Sequence, residues 1–299
     1  MRRNITFASE GLQLAGWLYV PEDLPAGERR PAIVMAHGFS ATKEMCLPNF
    51  AERFCAAGFV VTVFDYRFQG ESEGEPRGQI FPQQQHDDYR NAISWTQLQP
   101  EVDPERIGVW GSSYSGAHVM HLAAFDKRIK AVVAQMMLVD GWANALRLNR
   151  PDHVKGLHAM LAADRLQRYQ GGAVNYVPVV AAEGEPSALP TPDSLEWFTR
   201  VSGEMAPTWR NQVTLESMEH FLYYYPTAHI ELISPTPLLM IVASDDVLTP
   251  TDLAIAAYER ALQPKSLVIV KGGHFDGYMG PALEQTAPPA VAWFEKHLM

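Results

Sequence analysis

The sequence predicts an α/β protein, a mostly parallel central sheet flanked by helices with a largely helical lid inserted after the sixth strand. Short apolar runs alternate with amphipathic stretches from end to end, the rhythm of a wound sheet. Several runs are apolar at every position, as strands covered by helices on both faces must be. The rhythm lapses once, across residues 141–235. The expected organisation is a core over 1–140, a lid over 141–235 and the rest of the core over 236–299.

The strands come first. Ile5–Phe7 and Leu14–Val20 read as an opening pair, and Pro31–Ala36 as a continuous apolar run that ends in His37-Gly38. Phe59–Phe64 repeats that design and ends in Asp65; Arg106–Gly111 and Ala131–Val139 follow. Beyond the lid, Thr236–Ala243 and Ser266–Val270 complete the set. Helices are expected between them. Lys43–Ala57 sets Phe50, Phe54 and Ala57 at helical spacing, and Gln83–Leu98 does the same with Tyr89, Ala92, Ile93 and Thr96. Ala117–Phe125, Asp252–Leu262 and Pro288–Leu298 read likewise. The lid holds helical pieces at His153–Tyr169 and Glu216–Tyr225, among Gly171-Gly172, Pro178 and Pro190–Pro192. An insertion that long at one point of a repeating scheme reads as a cap over a site.

Composition bounds the function. A chain of 299 residues buries roughly three quarters of its unfolded surface and needs no disulfide or metal staple. Its 24 Lys and Arg against 34 Asp and Glu leave a net charge of −10, which speaks against nucleic acid or an anionic membrane as partner. The simplest reading of the acidity is solubility. The two cysteines, Cys46 and Cys55, point to different faces of the expected helix and lack any CxxC partner, so neither a disulfide nor a zinc site is expected. The N-terminus lacks an apolar core of the signal-peptide kind, and no run of 18 apolar residues occurs. A reducing cytoplasm is the expected compartment.

The chemistry is concentrated in Trp110-Gly111-Ser112-Ser113-Tyr114-Ser115-Gly116, which follows a strand and opens a helix. A serine on so sharp a turn needs small residues two positions to either side, because the turn presses them together. Only Ser113 has a glycine at one of these places, Gly111, with Ser115 at the other. A Ser/Gly-rich loop is the bland alternative, and it leaves the strand-to-helix setting unexplained. A serine hydroxyl needs a general base, and the base an orienting acid. His274 sits in Lys271-Gly272-Gly273-His274 after the last strand, where parallel sheets present functional side chains. His118 and His121, on the helix after Ser113, read as packing groups. For the acid, Asp246 in Ser244-Asp245-Asp246-Val247 is the choice; Asp245 and Asp140 stay open, the latter also as a cap for the first lid helix. Acyl transfer requires donors for the oxyanion, and the backbone N–H groups of Phe39 and Tyr114 suit that role. His37 reads as a structural support of that loop.

The order Ser113, Asp246, His274, together with the elbow and the His37-Gly38 loop, resembles the α/β-hydrolase superfamily from about Leu14 to the C-terminus, the lid excepted. Asp65-Tyr66-Arg67-Phe68-Gln69-Gly70-Glu71-Ser72 is similar to that family's Asp-x-Arg-x-x-Gly-x-Ser loop, whose role there is structural. His37-Gly38-Phe39-Ser40-Ala41-Thr42-Lys43-Glu44-Met45 and the elbow most resemble dienelactone-hydrolase-like esterases and the related polyketide thioester hydrolases and transferases. Ser115 departs from the usual glycine yet keeps the position small. The resemblance implies a serine hydrolase working through an acyl-enzyme on a small to medium hydrophobic or aromatic ester. The alternatives are a thioester hydrolase or acyltransferase on a carrier- or CoA-linked acyl chain, and a catalytically silent binding scaffold. No P-loop, dinucleotide fingerprint or HExxH pair is present, so neither cofactor nor metal is expected. The expected partner is a small-molecule ester or thioester, without nucleic acid or membrane; a homodimer stays open. Met136, Trp142, Trp209 and Tyr224 are the expected substrate contacts, with Leu146, Met160, Trp197, Tyr223 and Tyr225 as further apolar candidates from the lid.

Overall fold

The computed structural model describes residues 1–299. Ten strands form: β1 (Arg2–Ser9), β2 (Leu12–Tyr19), β3 (Arg30–Ala36), β4 (Val60–Phe64), β5 (Val102–Ser112), β6 (Ile129–Gln135), β7 (Tyr176–Val177), β8 (Val213–Thr214), β9 (Leu238–Ala243) and β10 (Lys265–Val270). Eight of them make one sheet in the order β1-β2-β4-β3-β5-β6-β9-β10. β1, β2 and β4 pair antiparallel, and every pairing from β4 across to β10 is parallel. Strand order reverses between β4 and β5, on either side of β3. The loops leaving β3 and β5 therefore rise side by side, which is where such sheets hold ligands.

Apolar side chains alternate between two cores. Ile33, Met35, Val61, Val63, Trp110, Val133 and Ile241 face one, and Ala32, Val34, Val60, Val109, Val132 and Met240 face the other. Helices α1 (Leu47–Ala56) and α9 (Leu283–Leu298) cover the first; α2 (Pro82–Gln97), α3 (Tyr114–Phe125) and α8 (Thr251–Arg260) cover the second. Residues 141–235 hold α4 (Gly141–Leu148), α5 (Pro151–Tyr169), α6 (Pro192–Met205), α7 (Leu215–Tyr223), the β7–β8 pair and a 3-10 segment, Pro226–Ile233. The insertion is tied to the core unevenly. Val177, Trp197, Phe198 and Val201 join the first core, whereas Ala145, Leu161, Leu215 and Leu222 pack among themselves.

Several boundaries differ from the sequence reading. β6 stops at Gln135 instead of Val139, because Met136 adopts φ +42° where the chain turns out of the sheet. α1 starts at Leu47 rather than Lys43: Cys46 is left-handed at φ +63° and Pro48 opens the first turn. α9 runs back to Leu283 through Pro288 and Pro289, held by the buried faces of Leu283, Thr286 and Ala287. α4, α6 and the short β7–β8 pair carry no pattern strong enough to foresee. β10, expected to be apolar on both faces, is an edge strand with Ile269 55% exposed. Cys46 and Cys55 are both free thiols.

Candidate active site

Ser113 sits between β5 and α3 with φ +56°, a left-handed conformation that a non-glycine residue adopts only when its surroundings impose it. Two contacts impose it: its N–H donates to Gln135 O (2.8 Å) and its carbonyl accepts from Leu138 N–H (3.1 Å), both on the segment leaving β6. The turn is tight enough that a Cβ on Gly111 would collide with the Ser115 carbonyl. Ser115 fits where glycine is usual because its hydroxyl pairs with Tyr66 Oη at 3.1 Å in a fully buried position.

The loop after β3 runs directly over this turn. A Cβ on Gly38 would lie 3.0 Å from Ser113 Cβ and 3.6 Å from its Oγ. Phe39 N–H makes no hydrogen bond within the chain, and Tyr114 is the first residue of α3, where N–H groups lack helical acceptors. His37 holds the loop as expected. Its Nδ1–H donates to Gly38 O (3.0 Å) while Nε2 accepts from Tyr66 N–H (3.4 Å), and burial lowers its pKa, keeping it neutral. Lys43 adds a buried clamp. Its N–H and Nζ donate to the two oxygens of Asp65 at 2.7 and 2.8 Å, and Nζ also reaches Glu44 and Glu71. Burial alone would lower the ammonium's pKa; Asp65 and Glu71 outweigh it and raise it, so Lys43 stays protonated, while burial raises the pKa of Asp65.

Asp246 follows β9 and His274 follows β10, neighbouring parallel strands whose loops meet. His274 Nδ1 lies 2.8 Å from Asp246 Oδ2 with both groups buried. A carboxylate only accepts, so the proton is on Nδ1 and Nε2 keeps a free lone pair. Asp246 is itself held: Oδ1 accepts from Leu248 N–H (2.9 Å) and Thr249 N–H (2.7 Å), and Thr249 Oγ1 lies 2.9 Å from Oδ2 and 3.1 Å from Met136 O. Asp245 points away, exposed, accepting from Ser244. Asp140 caps α4 through Ala143 N–H at 3.0 Å. The geometry thus pairs Asp246, not the other two, with His274. Sequence reasoning missed Thr249, although its place three residues after Asp246 is the spacing of a side-chain-capped turn.

Two cavities meet at Ser113. The larger, about 560 Å³, runs under the insertion between Leu138, Leu157, Met160, Met218 and Phe221. The smaller, about 30 Å³, lies on the His274 side against Trp197, Phe198, Phe275 and Tyr278. None of the four expected substrate contacts lines either one. Met136 is buried against Gly277, because its strand ends a residue earlier. Trp142 is 41% exposed and lies on His158. Trp209 donates from Nε1 to Ser40 O (2.8 Å), bracing the loop after β3 from outside. Tyr224 is buried behind α3 with His118 Nδ1 at 2.7 Å and His86 Nε2 at 2.9 Å. Of the further candidates Met160 lines the large cavity and Trp197 the small one, while Leu146, Tyr223 and Tyr225 are exposed. Met218, Phe221 and Leu222 do line it, at a helical spacing that α7's apolar face made readable.

A serine strained into view at the carboxyl end of a parallel sheet marks an α/β hydrolase of the serine-hydrolase type. The chain belongs to the X-Pro dipeptidyl-peptidase (S15) family, which residues 10–276 match. The quorum-quenching protein AidA of Acinetobacter baumannii is 31% identical over 98% of this chain and 94% of its own. The thiohydrolase aneE of Aspergillus aculeatus is 32% identical over 92% of this chain and 86% of its own. The crystal structure of the α/β hydrolase GrgF from Penicillium superposes with a TM-score of 0.85 at 28% identity, covering 100% of this chain and 99% of that one. The resemblance to α/β hydrolases and to polyketide thioester enzymes seen in the sequence is therefore sound. No helix is long and apolar enough to cross a membrane.

Proposed function

We propose that the protein cleaves an ester or thioester of an apolar acyl group through an acyl-enzyme on Ser113. The observation that carries this reading is the meeting of Ser113 and His274 on one small cavity, with His274 Nδ1 bound to Asp246. In the first half-reaction Ser113 Oγ bonds the carbonyl carbon and its proton passes to His274 Nε2. The bond to the leaving oxygen or sulfur breaks, and that atom takes the proton from His274. In the second, water gives its proton to His274, its oxygen bonds the carbonyl carbon, and Ser113 departs and recovers its proton. Asp246 steadies the imidazolium in both. Phe39 and Tyr114 N–H receive the oxyanion, each such donor being worth on the order of a hundred- to a thousand-fold in rate. Cys46 is buried and does not line either cavity, and burial pushes its thiol up to about 12.

Relatives named thiohydrolase and polyketide transferase favour the thioester over the oxygen ester, and make transfer to an acceptor other than water the second reading. The test is a panel of hexanoyl N-acetylcysteamine thioester, ethyl hexanoate and an X-Pro anilide, assayed with the wild type and Ser113→Ala. The expected result is thioester and ester turnover that the variant loses while its circular dichroism spectrum is retained. Turnover of the anilide alone, or undiminished activity in Ser113→Ala, overturns the reading. Product partitioning with an added alcohol separates hydrolysis from transfer.

A further inference from the structure

Resting on the reading above, we infer that the two cavities divide the substrate. The large one holds the acyl chain. The small aromatic one holds the first atoms of the leaving group and then the attacking water, so Trp197 and Phe198 set leaving-group specificity.

The division follows from where the proton must go. Once Ser113 Oγ adds to the carbonyl, the carbon carries the oxyanion, the acyl chain and the leaving atom. The oxyanion faces Phe39 and Tyr114 N–H. Only the leaving atom takes a proton from His274, and water later returns one along the same path. His274 lines the small cavity and is absent from the wall of the large one, whereas Ser113 borders both. The leaving atom therefore departs into the small cavity and the acyl chain extends into the other. The large cavity suits that part: aliphatic side chains such as Leu148, Leu157 and Met160 line it alongside polar groups that include Asn144, Arg150 and Glu185, and about 560 Å³ holds a chain of many carbons.

The small cavity cannot easily grow. Its walls are interlocked rings: Trp197 stacks on Phe275 at 4.8 Å and meets Tyr278 at 5.9 Å, and Phe198 stacks on Trp209 at 5.4 Å. Trp209 is in turn hydrogen-bonded to Ser40 O. A volume of about 30 Å³ admits roughly two waters. It accepts a thiol or a primary alkoxy group, whose scissile atom is followed by CH₂, and rejects a branched or aryl group at that place. Water fits as the acceptor of the acyl group, and a bulky acceptor does not.

The experiment compares kcat/KM for ethyl and isopropyl hexanoate, and for ethyl hexanoate and ethyl acetate, in the full-length wild type, Trp197→Ala and Met160→Trp. Wild type should prefer ethyl over isopropyl by at least about tenfold, the scale on which an apolar pocket separates one carbon. Trp197→Ala should lower that ratio about tenfold and leave the hexanoate-to-acetate ratio unchanged. Met160→Trp should do the converse. If Trp197→Ala fails to fold, Trp197→Phe and Phe198→Leu make smaller openings that should move the same ratio in the same direction. Should the Trp197 or Phe198 variants change acyl-length preference and not the branching ratio, the two sides are reversed and the inference fails. Ser113→Ala is run on ethyl hexanoate beside them: activity there would sink the acyl-enzyme mechanism itself, an outcome separate from any change in the two ratios.

Discussion

Asp246 and Asp140 each follow a strand of the same sheet, and what distinguishes them is what each carboxylate touches. Asp140 accepts from Ala143 N–H and begins α4. Asp246 accepts from two backbone N–H groups and from His274. Asp246→Asn presents an NH₂ or a weaker acceptor to His274 Nδ1 and disturbs the tautomer that leaves Nε2 free. We expect kcat on the hexanoyl thioester to fall by roughly four orders of magnitude, with the fold retained. Asp140→Asn keeps a capping oxygen and should change kcat little. Asp245→Asn, on an exposed side chain, should be neutral. If the Asp140 variant were the crippled one, the acid would have to be reassigned. The placement of Ser113 on a strand-to-helix turn and of His274 after the last strand was readable in the sequence, because the elbow and the glycine loop each impose local constraints. The choice among three aspartates was not, since it depends on a contact between residues 28 apart.

The elements around the site are held by buried charge. Arg67, in the loop after β4, donates through N–H, Nε and a terminal nitrogen to Asp88 of α2 at 3.0, 3.0 and 2.7 Å, and Ser9 Oγ donates to the same carboxylate at 2.6 Å. This joins β1, the loop and α2 where little water enters. Asp88→Asn leaves the Arg67 guanidinium without its counter-charge. It should lower unfolding free energy by about 3–5 kcal/mol, the usual consequence of removing one partner of a buried pair, as read from urea denaturation. A loss under 1 kcal/mol would mean that water reaches the pair. The elements themselves were largely legible: β3, β4 and β9 announce themselves as continuous apolar runs, β5 does so only over its second half, and α2 does so by its period. Legibility fails where packing overrides propensity. α9 passes through two prolines, Met136 leaves the sheet inside an apolar run, and α6 buries only Ser194, Trp197, Phe198 and Val201 of its 14 residues.

Across the whole molecule, the insertion and the sheet meet through a cluster of histidines. Tyr224, at the end of α7, lies between His118 on α3 and His86 on α2, and His121 stacks on His86. Burial lowers all three histidines below their ordinary value, His121 to about 4; neighbouring positive charge lowers them further, from His118 and His121 at His86, from His121 at His118, and from Arg90 and His229 at His121. They fold neutral and unfold into water where they readily take protons. Their contribution is constant above about pH 6.5, the ordinary histidine value, and is lost progressively as pH falls from there toward 4. We expect Tm to fall over that interval in thermal scans, and His121→Gln to flatten the fall. A Tm independent of pH from 7 to 5 would show that these groups titrate as they do in water. Length, the run of strands and the spacing around Ser113 determined the fold class and the hydrolase type. Such features are written in local patterns that a chain carries wherever it folds. The tertiary structure alone decided which aspartate meets His274, that Trp209 and Tyr224 brace rather than line the site, and that Ser113 opens on two cavities of unequal size. Those outcomes depend on which distant surfaces come together, and periodicity along the chain carries no record of that.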